Sequence, residues 1–216
     1  LIHPMVDIGN YVMLELGTPL HVFDRDKLAL PLSVNFADED ETVTIIGGEK
    51  KILDSNIATI RDRNATVAIA GIIGCDNSSV TSETKNFLVE SAAFLPNVIM
   101  NKARKLGLNT DASLRFERGV DSTMQANALV RFLELLNEVT SVKFKNFYKF
   151  KNKNNLSSRK IKFNYEDLNA FAGKKIPPRF VDKLLKNLGF ALSKNKQGFL
   201  SLIHISEPTR QAEIAD

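Results

Sequence analysis

The apolar positions of the chain change period several times, and each change marks an element. "DIGNYVMLEL" (7–16) has helical spacing and predicts a helix with Asp7 near its start, ended by Gly17 and then Pro19. "SVNFA" (33–37) and "TVTIIGG" (42–48) are strand-like, with Gly47-Gly48 as a hairpin turn before "KKILD". "IATIRD" (57–62) and "ATVAIAGIIG" (65–74) predict two more strands, the second apolar enough to be central. "NFLVESAAF" (86–94) reads as a strand with one carboxylate, Glu90, set among apolar neighbours. "LPNVIMNKARKLG" (95–107) predicts a helix opened by Pro96 and closed by Gly107. "DSTMQANALVRFLELLNEV" (121–139) is the strongest helix: Asp121 is its predicted N-cap, and Met124, Ala128, Leu129, Phe132, Leu135 and Leu136 form its apolar stripe.

These elements imply an α+β fold, a mostly antiparallel sheet with packed helices, over residues 1–150. "KNKNN" and the serines after it make 151–158 a polar linker. A smaller unit follows over 159–199: strand "KIKF", a helix capped by Asn164 and stopped by Gly173, and a helix opened by Pro178. Val181, Leu184, Leu185 and Leu188 would be the core stripe of that last helix, and Gly189 its end. Strand–helix–helix is the start of a winged-helix-like module, truncated near Phe199. "LSLIHISEPTR" (200–210) resembles the in-frame translation of a sequencing-library adapter, so 200–216 are set aside as a non-native tail. Leu1 runs almost at once into patterned sequence, and the chain reads as an N-terminally incomplete fragment.

Charge sharpens this division. Residues 1–140 carry 13 Lys+Arg against 19 Asp+Glu, a net of −6, whereas 141–216 carry 16 against 6, a net of +10. Nucleic-acid contact read from charge alone falls in the second part. The basic run from Lys143 to Lys162 fits a solvated linker as well as a phosphate-facing surface. One cysteine excludes an internal disulfide and fits a reducing cytoplasm. Cys75, His3, His21 and His204 have no zinc-ligand spacing, so no metal site is expected. No apolar run approaches the roughly 18 residues of a membrane helix, and no basic-then-apolar leader opens the chain.

Four stretches hold candidate chemistry. "GTPLHVFD" (17–24) puts His21 between a turn and a short apolar step, where it fits a catalytic group, a ligand or a buried corner. "AIAGIIGCD" (68–76) places Gly71 and Gly74 where a strand ends, which marks a bulge or a close backbone approach. Glu90 faces water or sits in an apolar pocket. "GLNTDASLRFERGVD" (107–121) is a polar loop between two helices, in which Thr110, Asp111 and Ser113 suit an Asx-turn and caps, and Arg115, Glu117 and Arg118 an ion-pair cluster. Cys75 reads as a small buried thiol.

In this order, the motifs V-D-x-x-N-Y-V, G-x-P-x-H-x-F-D, G-I-x-G, L-x-E-x-A-x-F and G-L-x-T-D-A-S-x-R-x-E-R-G-V-D span residues 2–140. They resemble the editing domain of the beta-subunit family of bacterial phenylalanyl-tRNA synthetases, and 159–199 resembles the small domain that follows it. The resemblance implies a ligase (phenylalanine–tRNA ligase) of protein biosynthesis in the cytoplasm. Its alpha subunit charges tRNA(Phe) with ATP and Mg²⁺ in an alpha2-beta2 heterotetramer; this region holds no cofactor, needs no membrane, and hydrolyses mis-charged Tyr-tRNA(Phe) at the acceptor end. By the same resemblance His21, Asn10 and Thr110 are catalytic, and Glu90, Gly74, Gly71 and Ala112 bind substrate. Glu90 would take the tyrosine hydroxyl as an ionised acceptor. Gly9 stands where the family usually has Thr, and Cys75 where a second glycine is common. A structural, tRNA-positioning domain with decayed editing and a free-standing trans-editing protein are the alternatives.

Overall fold

The computed structural model describes residues 3–141, 160–194 and 200–204, the last segment as backbone only. Its contacts divide the chain into two units, 1–147 and 148–216. The first begins with helix α1 (Pro4–Leu16), longer than the periodicity predicts. Pro4 is preorganised for a first turn and the His3 ring accepts from the Met5 amide, so the helix starts three residues before Asp7. Gly17, at φ 69°, closes it in the left-handed conformation that costs glycine little.

Next come strand β1 (Leu20–Asp24) and, across the unit, its antiparallel partner β8 (Phe87–Ser91), paired so that His21 faces Glu90 and Val22 faces Val89. Between them lie β2 (Ser33–Phe36), the hairpin β3 (Glu41–Thr44) and β4 (Lys50–Leu53), then β5 (Ala58–Arg61), β6 (Thr66–Ile69) and β7 (Ile73–Gly74). β2, β5, β6 and β7 form one four-stranded antiparallel sheet in that order, and the β3–β4 hairpin joins it through the Ile45–Cys75 bridge. The single strand expected over 65–74 is therefore two strands. The Ile72 amide donates to the Ile69 carbonyl at 3.0 Å, and Gly71 takes φ 67° at the turn between them.

The helix expected over 95–107 is also divided, into α2 (Pro96–Ile99) and α3 (Lys102–Lys105). Asn101 adopts φ 63°, a left-handed conformation that asparagine tolerates and that breaks the helical run. The stretch expected as a polar loop contains a helix, α4 (Asp111–Arg118). Thr110 and Ser113 form a reciprocal capping box at its N-terminus, and Arg115 pairs with Asp111 one turn away at 2.9 Å. Local capping outweighed the low overall hydrophobicity of this segment. α5 (Gln125–Val139) buries Ala128, Phe132 and Leu136, with Met124 just before it. Asp121 does not cap it; its carboxylate accepts from the Thr123 amide in the preceding turn.

The β1–β8 ribbon lies between two cores. Val22, with Leu20, Phe87 and Val89 beside it, packs against Met5, Ile8 and Val12 of α1 and against Ala128, Phe132 and Leu136 of α5. Phe23 and Leu88 point the other way, onto Ala58, Ile60, Val67 and Ala68 of the four-stranded sheet. A third core gathers Val43, Ile45, Leu53, Ile69, Ile72, Ile99 and Phe116 beneath α2–α4. Burying each such side chain contributes about 1.5–3 kcal/mol.

The second unit runs β9 (Lys160–Phe163), α6 (Tyr165–Ala172), α7 (Pro178–Asn187), β10 (Phe190–Lys194) and β11 (Leu200–His204), its three strands in the order β10-β11-β9. Asn164 caps α6 and Gly173 ends it, as the sequence implies. Tyr165 donates to Asp182 and ties α6 to α7. The stripe expected on α7 is only partly covered: Val181 is buried, whereas Leu184 and Leu188 are exposed among the described residues, as a small unit has little chain to cover them. Leu200–His204, set aside above with the tail, is the central strand of this sheet and pairs with both neighbours. Main-chain pairing needs only an extended strand of suitable alternation, which "LSLIH" supplies. The linker expected over 151–158 lies outside the described residues.

Candidate functional site

Side chains alternate along a strand, so the residues that follow and precede Val22 and Val89 emerge on the opposite face of the ribbon. His21 and Glu90 are directly opposed there, on neighbouring strands. Both line a cavity of about 60 Å³ whose walls are otherwise apolar: Leu20, Ile60, Ala68 and Ile72 with Phe94 and Phe116. Phe94 and Phe116 meet edge to face, with ring centroids 5.1 Å apart. Gly71 and Ala112 also line this cavity. Four of the seven residues expected at a site thus converge, from β1, β8, the β6–β7 turn and α4.

Among the described residues neither the Glu90 carboxyl nor the His21 ring has a hydrogen-bond partner; His21 packs edge-on against Phe23, centroids 4.4 Å apart. Burial disfavours the charged form of each. It pushes the Glu90 carboxyl up to about 7 and the His21 imidazole down to about 4. Glu90 is therefore not the fully ionised acceptor expected from the sequence: near neutral pH it is divided between its two forms. His21 is neutral there, with one N–H to donate and one ring nitrogen to accept.

The glycines serve space as much as conformation. A Cβ on Gly74 would lie 2.5 Å from His21 Cε1 and 2.6 Å from Nε2, so only glycine lets the imidazole lie against β7. A Cβ on Gly71 would meet Phe94, Ile99 and Phe116 at 3.0–3.1 Å in addition to straining a left-handed turn.

The other expected residues stand differently. Asn10 is on the exposed face of α1 and does not line the cavity. Helical spacing turns it away from the buried stripe of Met5, Ile8 and Val12. Thr110 lies behind the wall: its hydroxyl donates to the Ile72 carbonyl at 2.8 Å and accepts from the Ser113 amide at 3.1 Å. Gly9 is buried where α1 meets β1, and a Cβ there would make ordinary contacts, 3.8 Å to Leu20 Cβ and 4.0 Å to Phe132. Cys75 is a buried thiol pushed up to about 12 by burial and then by Glu41, and is neutral at physiological pH.

The sequence reading passed over Ile72, Phe94 and Phe116 as pocket walls, because an apolar residue in a pocket carries the same pattern as one in a core. It also left Asp24 unexplained. That buried carboxylate accepts from the Thr84 hydroxyl at 2.6 Å and the Asp26 amide at 3.0 Å, anchoring the loop that leads into β8. Among the described residues no three His, Cys, Asp or Glu side chains could hold a metal ion together, and no helix is long and apolar enough to cross a membrane.

Comparison with known proteins places this chain in a family. The phenylalanine–tRNA ligase beta subunit of Aliivibrio fischeri is 39% identical over 215 residues, which is 99% of this chain and 26% of that protein. The beta subunit from Haemophilus influenzae is 39% identical over 190 residues, 88% of this chain and 24% of its own length. A crystallised N-terminal fragment of the phenylalanyl-tRNA synthetase beta-subunit from Pyrococcus horikoshii aligns with a TM-score of 0.41 at 15% identity, over 93% of this chain and 59% of that one. The chain spans about a quarter of the length of the curated relatives it matches. Residues 1–141, which hold the whole cavity, match the model of the B3/4 domain, and the chain belongs to the B3/4 domain family.

Proposed function

We propose that this chain is a piece of a phenylalanine–tRNA ligase beta subunit and that its cavity hydrolyses tyrosine mis-charged on tRNA(Phe). The observation that carries this reading is the register of the β1–β8 ribbon. It sets two polar side chains without partners, His21 and Glu90, opposite each other at one apolar cavity.

A phenol ring suits such a cavity, and its hydroxyl can pair with Glu90. An apolar pocket rejects an added hydroxyl by only about 10²-fold, so a charging site that accepts phenylalanine admits some tyrosine. A second site built to bond that hydroxyl reaches roughly 10⁴–10⁵, because phenylalanine would leave the buried carboxyl unpaired. The ester is already activated. Water attacks its carbonyl carbon, the bond to the terminal ribose oxygen breaks, that oxygen takes a proton, and tyrosine leaves as the free acid. Neutral His21 is too weak a base to drive this alone; it orients the water by one hydrogen bond, its ring held in place against Gly74 of β7. Asn10, exposed on α1, acts in this reading only once the RNA end closes over the site.

In this reading the charging reaction, with its ATP and Mg²⁺, belongs to the assembled cytoplasmic ligase and its alpha subunit in an alpha2-beta2 arrangement. The tRNA acceptor end is the substrate that reaches this cavity. A positioning domain with decayed hydrolysis is the second reading, and Gly9 is the observation that favours it: Leu20, the neighbour of Gly9, lines the cavity, and no hydroxyl is present there.

The test replaces the matching segment of a complete ligase by residues 2–140 and follows hydrolysis of Tyr-tRNA(Phe). Rapid hydrolysis that falls at least 10²-fold in Glu90→Ala supports the reading. Normal charging without hydrolysis overturns it in favour of the positioning domain, and recovery in Gly9→Thr would trace the loss to the missing hydroxyl.

A further inference from the structure

The hydroxyl of Thr110 has one proton, and the structure shows where it goes: to the carbonyl of Ile72, at 2.8 Å. The same oxygen accepts the Ser113 amide at 3.1 Å, while the Ser113 hydroxyl donates back to the Thr110 carbonyl at 2.9 Å. The group is thereby committed at both ends and has no proton left for a water or an oxyanion. What it joins are two walls of one cavity. Ile72 belongs to the β6–β7 turn with Gly71, and Thr110 caps the helix that carries Ala112 and Phe116. The turn has no slack on that side, since even a Cβ on Gly71 would come within 3.0–3.1 Å of Phe94, Ile99 and Phe116.

We propose that Thr110 is a positioning residue, a latch that holds the Gly71–Ile72 turn against the N-terminus of α4 and so fixes the width of the cavity for a phenol ring. This rests on the hydrolytic reading given above and assigns Thr110 a part different from direct catalysis. With the latch closed, the ring is gripped so that its hydroxyl meets Glu90. With the latch open, the turn relaxes away from α4, the ring sits loosely, and tyrosine loses its advantage over phenylalanine.

Three substitutions separate the latch from the helix cap. Thr110→Ser keeps both donor and cap. Thr110→Asp keeps a good cap acceptor but has no proton for the Ile72 carbonyl. Thr110→Val removes both. Each is made in the complete ligase and read in two ways. The first is amide hydrogen exchange over residues 69–74, which needs no turnover. Exchange faster by roughly tenfold in Thr110→Asp and Thr110→Val, but unchanged in Thr110→Ser, is expected for one lost hydrogen bond. Unchanged exchange in all three overturns the latch.

The second readout is hydrolysis of Tyr-tRNA(Phe) and of Phe-tRNA(Phe). The latch predicts that the ratio of their kcat/KM values shrinks by roughly three- to tenfold in Thr110→Asp, largely through KM for the tyrosyl substrate, and returns in Thr110→Ser. An equal fall in kcat for both substrates, with the ratio kept, overturns the proposal and makes Thr110 a catalytic donor. If the unsubstituted ligase hydrolyses neither substrate, the hydrolytic reading fails by itself, and the exchange measurement still decides whether the latch exists.

Discussion

The two faces of the β1–β8 ribbon divide ten residues between different purposes. On one face Val22 and Val89, with Leu20 and Phe87, are packed by α1 and α5. On the other, one residue along each strand, His21 and Glu90 occupy an apolar cavity with no partner for either. The first face satisfies every group it buries. The second leaves two half-buried polar groups with no protein partner at the mouth of an apolar cavity, where a ligand hydroxyl that replaces their remaining water binds selectively. The two-residue period of a strand thus gives one face wholly to packing, while the other shares its length between packed Phe23 and Leu88 and the polar pair.

The largest effect expected from breaking this contrast is on the packed face. Phe132 is almost wholly buried between α5 and the ribbon, and Phe132→Ala should lower unfolding stability by about 3–5 kcal/mol, read by denaturant titration. A loss under 1 kcal/mol would mean that the helices do not hold the ribbon.

Next in size is a pH-dependent gain on the polar face. The Glu90 carboxyl moves from 4.5 to about 7 on folding, so between those values the native state keeps a proton that the unfolded chain has released. Stability therefore falls as pH rises through that window, by roughly 3 kcal/mol once complete. Glu90→Gln removes this cost: it should stabilise the protein by up to that amount at pH 8 and change little at pH 4. His21 has the opposite slope. Its pKa falls from 6.5 to about 4, the unfolded chain binds the proton first, and stability is lost as pH drops through that range. The two slopes oppose each other where the windows overlap, so the unsubstituted protein should be nearly level in stability from pH 5 to 6 while Glu90→Gln climbs with pH. Parallel curves for the two proteins would show that Glu90 is not enclosed.

The smallest effect sharpens the comparison at the seam between the faces. Gly9 lies inside α1 with room for a Cβ, so Gly9→Ala should add about 0.5–1 kcal/mol through helix propensity alone. Destabilisation in a thermal melt would mean that α1 and β1 are closer than these contacts allow.

Much of the architecture was legible in the residues. Asn164 and Gly173 bounded α6, Gly47-Gly48 turned the β3–β4 hairpin, and the stripe of Ala128, Phe132 and Leu136 named the buried face of α5. Each is a local matter of capping, a left-handed turn or a period. Less legible were breaks inside apolar runs. Nothing in "ATVAIAGIIG" distinguishes one long strand from two joined at Gly71, and α4 was hidden because its cap is strong while its apolar content is low.

Of the site, sequence alone determined the chemical types present: a histidine after a Gly-Thr-Pro turn, a carboxylate in an apolar strand, two glycines at a strand end. It also determined the alternation that would put His21 and Glu90 on the opposite side from Val22 and Val89. Only the tertiary structure decided that they face each other, because strands 69 residues apart must pair in one register for Cα partners to coincide. Tertiary structure decided, too, that Thr110 is spent on Ile72 and that Asn10 stands outside. A hydroxyl or an amide in a sequence is only a capacity to bond, and what lies within 3 Å of it is fixed by packing from elsewhere in the chain.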